Sequence, residues 1–407
     1  MAQTYLDLIA MNAALKELYD GQSIENLAYA DNPFLAMVPK KTEFGGKYLP
    51  IPIITGVSQG RSATFTTAQT NQTSVQIQSF LLTRKSDYSI ATIDNQTMLA
   101  SKTDKMAFLE GAKLVVDGAI RSATLSLSSA LFRSGTGSIG QISSIAVGVI
   151  TLSDPNSVVQ FEVNQVLQAD ATDGGVPRAA LGYVIAVNRS AGTITVSATG
   201  LGGAAGSPAL WAANDYLLVQ GDVNAKISGL AAWIPTTAPG ATAFYGVDRS
   251  VDVTRLGGVR YDGSAQSIEE ALVDGSNLLA REGGKPDVAI MSFASYSALE
   301  KALGAKVQYV DMKGPAGIAF RGIMINGANS MIKCFPDRNM PSQLAYLLQL
   351  NSWTLHSLGD APMILRYGDG LEMLRVSNAD AGEVRVGYYA NLATNAPGWN
   401  AVVQLSA

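Results

Sequence analysis

The chain holds almost no cysteine or histidine. It has one cysteine, Cys334, and one histidine, His356, in 407 residues. A lone cysteine excludes an intrachain disulfide, and the pair supplies too few ligands for a His/Cys zinc site. Both read as packing or surface positions. There is no G-x-S-x-G, no P-loop, no metal-ligand cluster and no nucleophile signature around His356, so a hydrolytic enzyme is the weakest alternative and no catalytic residue, cofactor or metal is expected. Charge is scarce as well: 15% of residues against about a quarter in ordinary soluble domains. With a net charge of −4, nothing suggests a nucleic-acid binder that works through a basic groove. No run of about eighteen apolar residues is present, and "MAQTYLDLIAMNAALKELYD" carries Asp7 and Glu17 where a secretory leader is basic and then apolar. The reading expects a soluble cytoplasmic chain with no membrane partner.

What is abundant is apolar surface, at 47% of residues. Without a membrane, its outlet is other subunits, since obligate interfaces resemble a domain core cut in half. The stretch "NPFLAMVPKKTEFGGKYLPIPI" concentrates the problem. It contains four prolines yet also Phe34, Leu35, Met37, Val38, Tyr48, Leu49, Ile51 and Ile53. Proline donates no amide to a helix interior or a central strand, so the stretch reads as extended chain. An extended apolar chain cannot cover itself, and these residues are expected to find their partners on another chain.

Further along, Leu6, Ile9, Leu15 and Leu18 mark a short amphipathic helix ended by Gly21. From Thr55 to Ser79, sixteen of twenty-five residues are Ser, Thr, Asn or Gln and the single charge is Arg61, a composition unlike charged disorder. With Val75, Ile77 and Leu81 alternating, it reads as half of a long two-stranded flap that needs a surface to lie on. A stripe through Met106, Leu109, Val116, Ile120, Ala123, Leu127 and Leu131 predicts one long helix over 103–133, with Lys113, Asp117 and Arg121 on its polar side. "GTGSIG" at 135–140 matches a dinucleotide fingerprint, but a helix precedes it and strand-like sequence follows, the reverse of what that site needs, so it reads as a joint. Residues 142–222 form a β-rich module with "NRSAG" as a hairpin turn. It holds two arginines and six carboxylates, so the whole net charge of the chain lies there. Beyond it, Ser267 and Glu270 predict a capping box, "PDVAIMS" a buried strand, residues 293–303 a helix, and "FRGIMINGANSMIKCF", "LAYLLQL", "LEMLRVS" and "EVRVGYYANLA" further strands.

This order of parts, with "NPFLAMVP", "LFRSGTGSIGQIS" and "GYYANLATNAPGWN", resembles the major capsid protein of tailed bacteriophages, the Hong Kong 97-like α+β fold. The resemblance implies an N-terminal arm at 1–44, an E-loop at 45–90, a peripheral domain at 91–141 and 367–407, an inserted barrel-like domain at 142–222 and an axial domain at 223–366. It implies self-assembly as pentamers and hexamers into an icosahedral shell around double-stranded DNA, assembled in the host cytoplasm and ending as the virion capsid, with portal, scaffold and decoration proteins as partners. Arm and flap then cross neighbouring subunits, with Arg61 among the contacts. An encapsulin-like compartment enclosing a protein cargo is the alternative on the same fold. Some members cross-link subunits through Lys and Asn. Lys41, Lys47, Asn391 and Asn395 have those residue types without a matching motif, and ordinary surface roles are expected. The inserted module is expected on the outer surface of the shell.

Overall fold

The computed structural model describes residues 31–94, 105–313, 319–366 and 371–406. The helix expected through Leu18 lies outside them, as do the side chains of Met106 and Leu109.

A mixed seven-stranded sheet organises the body. Its spatial order is Val259–Asp262, Ala401–Gln404, Leu344–Leu348, Val288–Met291, Met331–Pro336, Ala319–Asn326 and Tyr309–Lys313. Successive side chains of a strand point to opposite faces. Here both sets are apolar: Ala289, Met291, Leu347 and Val403 enter one core, while Val288, Ile290, Leu348 and Val402 enter another.

The first face is covered by the helices Ile268–Arg281 and Phe293–Leu303. The expected capping box is present: Ser267 accepts from the Glu270 amide while the Glu270 carboxylate accepts from the Ser267 amide. The second helix stops at Gly304, whose φ of 52° disfavours other residues. Among the described residues the second face has no helix pair of its own. It is covered by the short helix Pro33–Met37, by Leu127, Leu131 and Phe132 at the end of the long helix, and by Leu230–Trp233.

The long helix spans Lys105–Ala130, 26 residues. That is about 39 Å at ~1.5 Å per residue. Val116, Ile120, Ala123 and Leu127 are buried as the stripe predicts, and Lys113 and Arg121 are exposed. It lies on a six-stranded sheet built around the 14-residue strand Ala381–Thr394, which pairs with Lys85–Asp94 along ten residues.

The inserted module is a closed six-stranded antiparallel barrel formed by Ser138–Ala146, Val149–Leu152, Val166–Asp170, Gly182–Asn188, Thr193–Ser197 and Tyr216–Val219. Phe161, Leu167, Val184, Ile194 and Leu217 fill it. "NRSAG" makes the predicted turn, with Asn188 Oδ1 accepting from the Ala191 amide at 3.1 Å. The first strand opens at Ser138 instead of Ile142, so the second half of "GTGSIG" is strand and no helix follows it. Entry and exit touch at Gly137, where a Cβ would sit 2.3 Å from the Asp222 carbonyl oxygen and φ is +92°.

The barrel is not a loose passenger. Lys226, just past its exit, reaches Asp87 at 2.6 Å, Ser126 at 2.9 Å and Asp222 at 3.0 Å. On its flank, the Ser342 amide and hydroxyl donate to Asp154 at 3.0 and 2.7 Å. Two of the carboxylates that make the module acidic are thus spent at its contacts with the body.

Candidate assembly surfaces

The structure divides the residues expected to face another chain. Phe34, Leu35, Val38, Ile51 and Ile53 are buried within this chain, Met37 and Leu49 are half-buried, and Tyr48 and Arg61 are exposed. For the buried set the expectation is corrected. The second face of the large sheet needs a cover, and the arm provides it: Phe34 is 0% exposed and its ring centroid lies 5.2 Å from that of Phe132. The arm is also not extended throughout. Pro33 occupies the first turn of the helix Pro33–Met37, where a missing amide costs nothing and the fixed φ is already helical.

A buried polar seam holds that helix down. Its N-cap residue, Asn32, makes no capping bond; the Phe34 amide instead donates to Asp337 Oδ2 at 3.3 Å. The Asn339 amide donates to Asp337 Oδ1 at 2.9 Å, and Asn339 Nδ2 donates to Asn32 Oδ1 at 2.8 Å. From the barrel, Gln160 Nε2 donates to Asn339 Oδ1 at 3.0 Å. Burial pushes the Asp337 carboxyl up to about 6, against the pull of these hydrogen bonds and of Arg338.

The flap is the two-stranded sheet Tyr48–Gly56 with Gln76–Thr83 and the small tip helix Phe65–Thr70. One face is rooted. Ile51, Ile53, Phe80 and Leu82 are buried, and Phe80 meets Trp233 edge-on at 5.0 Å beside Phe244 and Tyr245. The Leu81 amide donates to the Tyr245 carbonyl at 2.9 Å. The opposite face carries Tyr48, Ile54, Ile77 and Leu81, all exposed, with Ile54 paired across to Ile77. Ile77 is 63% exposed and Phe65, at the tip, 82%. Pro50 and Pro52 lack amides, so the ladder to the second strand runs through their neighbours, and the outer edge of the first strand offers no donor at either proline.

Of the residues typed for a cross-link, Asn391 is fully engaged. It donates to the Thr83 carbonyl and the Tyr245 hydroxyl at 2.8 and 2.9 Å and accepts from the Ser228 and Leu392 amides at 2.9 and 3.0 Å. It is 0% exposed and ties the flap root to the central strand. Asn395 is exposed, Lys47 lies over the Tyr48 ring at 5.2 Å, and Lys41 pairs in register with His356. His356 is half-buried, and burial followed by the nearby Lys41 charge lowers its pKa. Among the described residues no three His, Cys, Asp or Glu side chains gather as metal ligands. No described helix is long and apolar enough to cross a membrane. Nothing in the sequence around Asp337 or Asn339 marked them as a junction, because their partners in the barrel and the arm lie 179 to 307 positions away.

Two outcomes follow from the arm's placement. Phe34→Ala leaves a cavity in the subunit's own core and is expected to lower the unfolding free energy of the unassembled subunit by about 3–5 kcal/mol, read from its denaturant midpoint. Were Phe34 bound only by a neighbour, that midpoint would not move. Asp337 makes stability depend on pH with a defined sign. The folded state holds this proton at about 6 against 3.8 for an ordinary aspartate, so the folded state binds more protons in between and stability falls as pH rises from about 4 to about 6. Asp337→Asn removes that component: the difference in midpoint between the two proteins should shift between pH 4.5 and pH 7, and a constant difference would refute the assignment.

No sequence family matches the chain, and no curated protein does. Solved structures do. A subunit of the cyanophage A-1(L) capsid is 14% identical, covers 97% of this chain and 98% of its own, and has a TM-score of 0.56. The capsid of a native GTA particle gives 11% identity, coverage of 93% and 90%, and a TM-score of 0.44. The SrpI encapsulin of Synechococcus elongatus gives 9%, coverage of 97% and 94%, and 0.44. With its rooted flap, long helix on a six-stranded sheet and two-faced mixed sheet, the chain has the Hong Kong 97-like α+β fold, shared with the cyanophage A-1(L) capsid chain.

Proposed function

We propose that the chain is the repeating subunit of a closed icosahedral shell, built as pentamers and hexamers in the host cytoplasm around the double-stranded DNA of a tailed phage, with a portal and a scaffold as assembly partners. The observation that carries this reading is the flap. Its root is fixed by an aromatic cluster and by Asn391, yet its outer face and tip present Tyr48, Ile54, Ile77 and Phe65 to solvent. A two-stranded ribbon is marginal in water. Held rigidly and left apolar on one side, it fits the surface of a second copy, with Arg61 as the one charge near its tip to pair with a neighbour's carboxylate.

Electron microscopy of the protein expressed with its phage partners tests the reading: closed shells are expected, and monomers alone under assembly conditions would overturn it. Nuclease-protected DNA inside the particles is expected, whereas a protein cargo would select the encapsulin-like alternative. Ile54→Ser with Ile77→Ser should leave the denaturant midpoint of the subunit within about 0.5 kcal/mol, as exposed substitutions do, while sharply reducing shell yield. Unchanged yield would remove the flap face from the contacts.

The barrel, with its net charge of −4, is assigned to the shell exterior, away from packaged phosphate. Mild proteolysis of intact, filled particles is expected to cut at 199–208, where Leu201 is exposed, before any site in the long helix. Cleavage there only after the particles are broken would place the barrel inside.

A further inference from the structure

The seam under the arm joins three parts of the chain that have no sequence proximity. Asn32 belongs to the arm, Gln160 to the barrel, and Asp337 and Asn339 to the connection that follows strand Met331–Pro336. Their exposures are 6%, 4%, 1% and 2%, so each polar atom there must find its partner within the protein. The Asn339 side chain stands at the centre. Its Nδ2 serves the arm at Asn32, 2.8 Å away, and its Oδ1 serves the barrel at Gln160, 3.0 Å away. One planar amide therefore bonds both modules: its NH₂ donates to Asn32 and, at 3.3 Å, to Asp337 Oδ1, while its oxygen accepts from Gln160.

The two commitments support each other. Gln160 ends the 3-10 turn Pro155–Gln160, whose N-cap, Asp154, is itself fixed to Ser342 at 2.7 Å, so the turn is held on the same connection at both ends. Gln160 from one side and Asp337 Oδ1 from the other turn the Asn339 amide so that its NH₂ faces Asn32, while Asp337 Oδ2 accepts from the Phe34 amide of the arm helix. Remove either module and a buried donor or acceptor is left without its partner, which weakens the hold on the other.

We propose that the inserted barrel is a clamp on the N-terminal arm: seating Gln160 on Asn339 stabilises the docked helix Pro33–Met37, and docking of that helix stabilises the seated barrel by the same factor. The coupling is a property of the folded subunit and does not rest on the shell reading. It gives the barrel a role inside its own chain, and it means that a partner pulling on the barrel would loosen the arm.

Hydrogen exchange of the unassembled full-length subunit, read by mass spectrometry, tests it. Gln160→Leu is expected to speed exchange of the amides at 34–38 by roughly 5- to 100-fold, the range of ordinary coupling energies, while strands Gly182–Asn188 and Thr193–Ser197 keep their protection. Asn32→Ala should speed exchange at 157–161 by a matching factor, because coupling between two sites is reciprocal. Asn156→Ala, which loses only the exposed bond to Ser342, should leave the arm unchanged. Gln160→Met roughly keeps the length and removes the donor, and it gives the same readout where the leucine variant does not fold. Arm amides that exchange at the wild-type rate in both Gln160 variants would overturn the clamp. So would equal loosening by Asn156→Ala, which would mark a general undocking with no relay through Asn339.

Discussion

A sheet that is apolar on both faces has to be covered twice. Strands Val288–Met291, Leu344–Leu348 and Ala401–Gln404 send alternate side chains into two separate cores, and among the described residues one pair of helices lies beside them. The second cover is assembled from remote pieces: the arm helix, the end of the long helix and the Trp233 turn. Each piece leads into one of the outlying parts. The arm runs on to the flap, the long helix runs on to the barrel, and Trp233 forms the floor on which the flap root stands. A demand of one sheet for burial thereby fixes where every extension leaves the body.

Local signals were legible because their physics is local. The Ser267 capping box, the helix ended by Gly304, the Asn188 turn and the stripe from Val116 to Leu127 each need only a few neighbouring residues to be recognised. The fold class was legible too, through resemblance. What the residues did not announce is which apolar face is covered by which chain. Phe34 and Ile77 are both apolar residues in proline- or threonine-rich sequence, yet one is enclosed by its own subunit and the other faces solvent. That distinction depends on which face of a sheet far along the chain the arm covers, and a window on the arm cannot contain that sheet. The barrel's opening strand was hidden for a different reason. Gly135 and Gly137 read as punctuation, and the strand begins immediately after them.

Within the flap, parity separates support from presentation. Ile51, Ile53, Phe80 and Leu82 point one way into the aromatic root, and Ile54, Ile77 and Leu81 point the other way. A ribbon fixed on one side loses little further backbone freedom when its free side is covered, so the ordering cost that weakens binding by floppy segments is already met in the fold. The prolines act on the remaining edge. With no amide at Pro50 or Pro52, an added strand would lack donors there, which favours contact through the face over edge-to-edge pairing.

The neck of the barrel carries one more consequence. Chain enters at Gly137 and leaves at Asp222 with the two backbones in contact. To the host body, therefore, the whole barrel has the end-to-end span of a tight turn, and closing that span costs the same entropy whatever is folded beyond it. Such a position works as a graft point: another compact unit with adjacent termini could stand there without disturbing the strand and helix on either side. What a replacement would not bring is Gln160.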